Sequence, residues 1–312
     1  MLLDPSAGCL LFEVLIEKLH NSTYITLETT PPHSAQFKPV VDTIEALELD
    51  SMVDGFSTTD NPLAKLKYNA LFGAQLLQNR FNKPVLATMS MRDRNRIALQ
   101  SDLLGANEAD VRAFLALTGD PAKISDQVDA KGVFEGDSTL LLSIIGSLNK
   151  GEDMMGKQFK EAPQPIYPFA VVNSHARNPK SLQKKMLKKI NHGAVGIITQ
   201  PVYDIENAKL LVELMENAND ASEKEQNATL ILGLFPITKL RTAKFLDANV
   251  PGIHVPAYWI EALESAAKVS VEEEYKVGFE LSKKLFDDIK AFHPKIHLMT
   301  ANQFQLAKEI LS

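Results

Sequence analysis

The sequence is short of cysteine, of positive charge and of long apolar runs, and each shortage removes a class of protein. One cysteine, Cys9, leaves no internal disulfide and no multi-cysteine zinc or iron–sulfur site. That fits a reducing cytoplasm. The 33 basic residues are outnumbered by 39 acidic ones, and a net charge of -6 is the wrong balance for a general nucleic-acid binder. No apolar run approaches the roughly 20 residues that cross a bilayer. Ser6-Ala7-Gly8-Cys9 looks like a lipoprotein cleavage box, but no basic and apolar leader precedes it. Glu13 and Glu17 also interrupt the apolar run behind it. The run 10–19 is expected to form an N-terminal amphipathic helix, with Cys9 as a small apolar residue. No G-x-G-x-x-G follows the first strand pattern and no G-x-x-x-x-G-K-S/T occurs. His33, His175, His192, His254, His293 and His297 have no metal-ligand spacing, and His254 and His297 read as strand residues satisfied locally. The expectation is a soluble cytoplasmic protein with no metal, no membrane and no nucleic-acid partner.

What is present is a regular alternation. Strand patterns fall at 24–28 (YITLE), 52–57, 84–89, 113–117 (AFLAL), 167–172, 195–199, 230–234 and 295–299. Helical spacing covers 37–49, 63–80, 95–104, 139–148, 179–191, 205–217, 239–246, 271–290 and 303–311. AFLAL is wholly apolar, as a strand buried on both faces of a parallel sheet should be. The short extended piece 253–255 is set aside, and the polar stretch 151–164 sits inside the series as a surface loop. About eight strands, each followed by a helix, predict a single (β/α)8 TIM barrel over 1–312 with an N-terminal helix. A doubly wound open sheet is the alternative.

A barrel carries its chemistry just past the carboxyl ends of its strands. Those positions hold Glu28; Ser57, Thr58, Thr59, Asp60 and Asn61; Ser90; Thr118, Gly119 and Asp120; Asn173; Thr199 and Gln200; Pro236; Thr300 and Asn302. Gly119 and Pro121 halt the fourth strand and present Asp120 at its end. Strand ends are polar in any protein, and an isolated Gly-Asp-Pro is most simply a cap. The set is more telling. Carboxylates with several hydroxyls and amides on one mouth suit a polar heteroaromatic ligand and acid–base chemistry.

The strand ending Leu27-Glu28-Thr29-Thr30-Pro31-Pro32, the turn Thr58-Thr59-Asp60-Asn61 and the segment Leu117-Thr118-Gly119-Asp120-Pro121 resemble the methylenetetrahydrofolate reductase family. So do Lys189 through Gly193-Ala194, the run Thr199-Gln200-Pro201-Val202-Tyr203-Asp204, and Gly233-Leu234-Phe235-Pro236. Arg92-Asp93-Arg94-Asn95 and the block 99–106 (LQSDLLGA) are similar to the branch fused to homocysteine methyltransferase domains. The resemblance runs from Tyr24 nearly to the end of the chain.

It implies an FAD-dependent barrel that reduces 5,10-methylenetetrahydrofolate to 5-methyltetrahydrofolate in two half-reactions, for methionine synthesis. NAD(P)H or another reductant would be the donor. Glu28 matches the family's general acid, and Asp120 matches the carboxylate that contacts the pterin and stabilises the cationic iminium. Ser57, Thr58, Thr59, Thr118, Gly119 and Asp120 match segments lining the flavin, and Lys188 and Lys189 match basic residues near its diphosphate. Gln200 matches the folate-contacting glutamine. Thr242 and Gln303 stand where relatives carry a glutamine and an arginine against the folate, and Thr118 where many carry an arginine. Two other readings stay open: a non-catalytic folate- or flavin-binding subunit, and a lyase or aldolase acting on a phosphorylated substrate. Exposed helix faces leave room for a homo-oligomer without specifying its symmetry.

Overall fold

The computed structural model describes the chain from residue 5 to residue 312, with side chains from residue 11 onward, so the Cys9 side chain lies outside the described residues. Eight parallel strands run in chain order: β1 (Tyr24–Thr29), β2 (Gly55–Thr58), β3 (Val85–Ser90), β4 (Ala113–Leu117), β5 (Tyr167–Val172), β6 (Gly196–Pro201), β7 (Thr229–Leu234) and β8 (Lys295–Leu298). Each pairs with its sequence neighbour, and β8 closes on β1. The (β/α)8 barrel expected from the alternation is the fold observed. The helices are α1 (Pro5–Asn21), α2 (Lys38–Ala46), α3 (Ala70–Phe81), α4 (Arg96–Glu108), α5 (Ser138–Leu148), α6 (Lys180–Asn191), α7 (Ile205–Asp220), α8 (Leu240–Asn249), α9 (Ala257–Ala267), α10 (Val271–Phe292) and α11 (Phe304–Leu311). Among the described residues no helix is long and apolar enough to cross a membrane.

Three boundaries differ from expectation for local reasons. The helix expected over 63–80 begins only at Ala70, where Asn69 accepts from the Leu71 and Phe72 amides. Before it, Asn61, Leu63 and Ala64 adopt left-handed backbone (φ 43°, 56° and 56°), which no helix continues through. The strand expected from 52 starts at Gly55. Residues 253–255, set aside in the strand count, form no strand, but Pro256 after them opens a helix that was not expected, α9, which buries Trp259, Leu263 and Ala266.

Strand alternation sorts the core into two layers. Leu27, Phe56, Ala87, Phe114, Ile197, Leu232 and Ile296 point outward into the large cluster under the helices. Tyr24, Leu86, Leu115, Phe169, Ile198 and Ile231 point inward at the amino-terminal half of the barrel. Helix α1 plugs that end with Phe12, Leu15 and Leu19, all fully buried. Phe12 stacks on Tyr167 at 5.5 Å between centroids and carries the Arg112 guanidinium 4.4 Å above its ring. The Lys295 amine caps the plug by donating to the carbonyls of Lys18 (2.7 Å) and Ser22. Asp54 pairs with Lys18 and accepts from the Ile25 amide (2.8 Å), tying α1 to the first strand. The lower barrel is therefore sealed and apolar, which restricts polar chemistry to the opposite end. Phe12→Ala should cost about 3–5 kcal/mol, the range for a large aromatic deleted from a packed core. Urea unfolding measures this, and a loss under about 1 kcal/mol would contradict a packed plug.

Candidate active site at the carboxyl end of the barrel

On β1 the inward set is Tyr24, Thr26 and Glu28, so one strand leads from the apolar floor to a carboxylate at the rim. On β8 the inward residues are Lys295 and then His297, and Thr26 is the register partner of His297. Thr26 Oγ1 lies 2.8 Å from His297 Nδ1, and His297 Nε2 lies 3.7 Å from Glu28 Oε2. The imidazole is 3% exposed and the Glu28 side chain 21%. The hydroxyl fixes the ring from one side and leaves the other nitrogen facing the carboxyl group, a little beyond direct hydrogen-bond reach. His297 was expected to be a strand residue satisfied locally; it lies in β8 with Nδ1 on the Thr26 hydroxyl, and it is also the neighbour of Glu28. The signal was in the sequence, because Lys295, His297 and Met299 share the phase of a barrel interior on a strand that must pair with β1.

Around this pair the upper barrel is polar and buried. Glu28 is the register partner of Ser57, and Ser57, Thr88 and Ser90 are all buried. Three buried hydroxyls at or just past the ends of β2, β3 and β8 (Thr59, Ser90 and Thr300) have no hydrogen-bond partner among the described residues. A buried polar atom without a partner costs about 1–3 kcal/mol. Such orphans on one mouth suit a polar ligand that supplies their partners.

The other expected residues are placed as follows. Thr58 turns outward and its hydroxyl donates to the Ala70 carbonyl (3.0 Å), so only its backbone is available to a ligand. Thr118 is exposed, and its Oγ1 accepts from the Ser138 amide (3.1 Å) at the start of α5. Gly119 has φ +92°, and a Cβ there would lie 3.0 Å from Arg92 Cβ and 3.1 Å from Ser90 Cβ. Asp120 is half-buried and its Oδ2 accepts from the Leu63 amide (2.8 Å). Gln200, in the amide orientation that satisfies its neighbours, donates to the Pro251 (3.1 Å) and Gly252 (3.2 Å) carbonyls. Its hydrogens are thereby committed and its oxygen is left for recognition. Thr242 is half-buried in the first turn of α8, and Gln303 is exposed just ahead of α11.

Two lysines stand at the α5–α6 edge. Lys188 is exposed and pairs with Asp137 (3.2 Å), the residue that caps α5 by accepting from the Thr139 amide (2.8 Å). The Thr139 hydroxyl, the Thr139 amide and the Lys188 amine together hold the Asp137 carboxyl down at about 2. The Lys189 amine donates to the Val171 carbonyl. Burial, reinforced by the neighbouring Lys185, pulls it down to about 8. Both lysines lie in the last turn of α6.

The rim is braced by charge. Arg94 bridges Asp60 (2.6 Å) and Asp102 (2.8 Å), and Asp60 also accepts from the Ser90 amide (3.0 Å). A cavity of about 820 Å³ lies at the opposite end of the barrel beside α1, lined by Glu13, Glu17, Tyr167 and Glu223 among others. It contains none of the expected catalytic, flavin or folate residues. Among the described residues no group of three or more His, Cys, Asp or Glu side chains could hold a metal ion.

Comparison with known proteins gives one family and a set of folds. The family model described as methylenetetrahydrofolate reductase matches residues 13–312. No curated protein matches. One similar structure is that of a Clostridium thermocellum protein described as uncharacterized and binding two copies of 5-methyl-5,6,7,8-tetrahydrofolic acid. It is 18% identical with a TM-score of 0.60, over 94% of this chain and 96% of that one. Another is EDTA monooxygenase from Chelativorans sp. BNC1, 12% identical with a TM-score of 0.55 over 92% of each chain. At these identities the two structures establish the fold.

Lys189 gives a pH test. Its folded pKa lies below the unfolded value, so between about pH 8 and 10.5 the unfolded chain holds more protons and this group makes stability rise with pH. Lys189→Met should remove that slope relative to the parent protein, as read by urea unfolding across the window. An unchanged slope would mean that the amine is not buried.

Proposed function

The chain belongs to the methylenetetrahydrofolate reductase family, and from that premise we propose that it reduces 5,10-methylenetetrahydrofolate to 5-methyltetrahydrofolate, supplying methyl groups for methionine synthesis in the cytoplasm. The observation that carries the reading is the Glu28 carboxyl beside His297 at the polar end of a barrel whose other end is sealed. Ring opening requires a proton on a departing folate nitrogen, and Glu28 is the group at the rim with a second proton-exchanging group behind it. We assign Glu28 as the general acid, with the proton held at Oε2 and His297 Nε2 able to replace it. Thr26 keeps the imidazole in place through Nδ1.

Asp120 is assigned to the charge that develops. Opening the ring leaves a cationic iminium, and a carboxylate fixed by the Leu63 amide offers a preorganised negative partner. Gln200 offers an oxygen acceptor, which suits the N–H donors on a pterin edge. Thr242 and Gln303 are assigned to the outer part of the same substrate.

FAD fits the remaining residues. The unpartnered hydroxyls of Thr59 and Ser90, buried Ser57, and the backbone of Thr58, Thr118 and Gly119 form a polar wall along one side of the mouth. Gly119 keeps that wall clear of a side chain. Lys188 and Lys189 would hold its diphosphate. Bound FAD would supply the hydride, drawn beforehand from NAD(P)H or another reductant.

One cuvette tests this. The purified protein should show flavin absorption, bleach on anaerobic addition of NADH, and regain colour with methylenetetrahydrofolate. Peaks that resist NADH but return with folate after chemical reduction would assign a different donor or a partner subunit. No flavin, even with excess FAD, would end the reductase reading. Glu28→Gln should keep flavin and its reduction by donor yet lose about 10²–10⁴-fold in folate turnover. Normal turnover by that variant would remove Glu28 from the acid role.

A further inference from the structure

Arg92 has no part in the chemistry above, yet its side chain is only 3% exposed. Its guanidinium grips Asp93 through Nε and Nη2, both at 2.6 Å. The same Nη2 donates to the main-chain carbonyl of Asn61 (3.0 Å). Asn61 opens the left-handed turn ahead of α3, and its Oδ1 accepts from the Lys67 amide (2.9 Å), closing the loop 61–67. Leu63 and Ala64 inside it hold φ 56°, a conformation that side-chain-bearing residues keep only where surroundings force it. The Leu63 N–H at the tip of this turn is the donor on Asp120 Oδ2. On the far side, Ser125 Oγ donates to the Ala64 carbonyl (2.7 Å), fastening the turn to the loop that follows Asp120. Arg92 also supports Asp120 from below, because Gly119 rests against its Cβ and the guanidinium charge attracts the carboxylate.

We propose that Arg92 is a positioning residue for Asp120. Through the Asn61 carbonyl it holds the 61–67 turn in its left-handed form, and that turn delivers the N–H that orients the Asp120 carboxylate toward an incoming ligand. The planar fork is essential, since one guanidinium must serve two carboxylate oxygens and a carbonyl together, which a lysine ammonium on a flexible stem does not reproduce. What Asp120 binds rests on the folate reading; the coupling of Arg92 to Asp120 is a property of the chain alone.

The test compares the FAD-loaded wild type with Arg92→Lys and with Arg80→Lys, the same exchange at an exposed ion pair with Glu45 outside the site. Leu63 amide exchange without ligand and calorimetric titration with 5-methyltetrahydrofolate are the two readouts. Arg92→Lys should exchange Leu63 about tenfold faster and bind the folate about tenfold more weakly, the scale of one charged hydrogen bond. Arg80→Lys should leave both within about twofold of wild type. Wild-type exchange and affinity in Arg92→Lys, or equal losses in Arg80→Lys, would overturn the proposal. Should Arg92→Lys not fold, Asn61→Gly keeps the arginine and its carbonyl acceptor and permits the same backbone angle, but removes the Lys67 closure and the Nδ2 bond to Asp93. It should show the same two changes, and unaltered values would be equally fatal. If wild type binds no folate while Arg92→Lys still frees the Leu63 amide, the positioning role stands and the functional reading falls.

Discussion

In a closed barrel of parallel strands every second side chain points at the axis, and there is room inside for only a few layers. That constraint organises this molecule. The lower inward positions carry Tyr24, Leu86, Leu115, Phe169 and Ile231 and are closed by α1. The inward positions above them carry Thr26, Glu28, Ser57, Thr88, Ser90 and His297. Nothing else in the structure separates oil from polar chemistry so sharply. The helices outside supply the bulk of the apolar burial, but the alternation decides where a proton can be held away from water.

The strands were legible because AFLAL and its counterparts are short apolar runs bounded by turn residues, and their count identified the barrel. What escaped were features set by tertiary context. Leu63 and Leu66 extend the helical spacing of the following segment, yet both are exposed and belong to a left-handed turn held by Arg92 and Asp120. Helix α9 was missed because Ile253 and Val255 imitate a strand, while its real signals, Pro256 at the start and a Trp259–Leu263–Ala266 stripe, lie just beyond. Within the site, Glu28, Asp120 and Gln200 stand at strand ends, where a barrel invites attention. His297 stands inside a strand and makes sense only once β8 is laid beside β1 in register. Thr58 lies in a segment that matches the flavin lining, and strand parity turns its hydroxyl away to α3.

The rim shows how loops can be made rigid without a core. The segments after β2, β3 and β4 bury little apolar surface of their own, and Leu63, Leu66, Ile124 and Phe134 remain exposed. They are held by polar ties instead. Arg94 joins the segment after β2 to α4, Asp60 accepts from the Ser90 amide, and the Met91 amide donates to the Leu117 carbonyl (3.0 Å). Val133 and Phe134 return to bond Arg92 and Met91. Geometry at this mouth therefore depends on directional bonds, which lose their strength within a few tenths of an ångström.

The clasp between Lys295 and the end of α1 joins groups more than 270 positions apart. During synthesis the first seven strands can pair in order as they emerge, but β8 must arrive before the sheet has no free edges. Until then β1 and β7 each present an open row of backbone donors and acceptors, the surface on which strands of other chains add. Closure of β8 onto β7 and β1 is thus the step that removes the hazard. The end of α1 and the residue after it hold the two backbone carbonyls that the lysine at the start of β8 meets on closing.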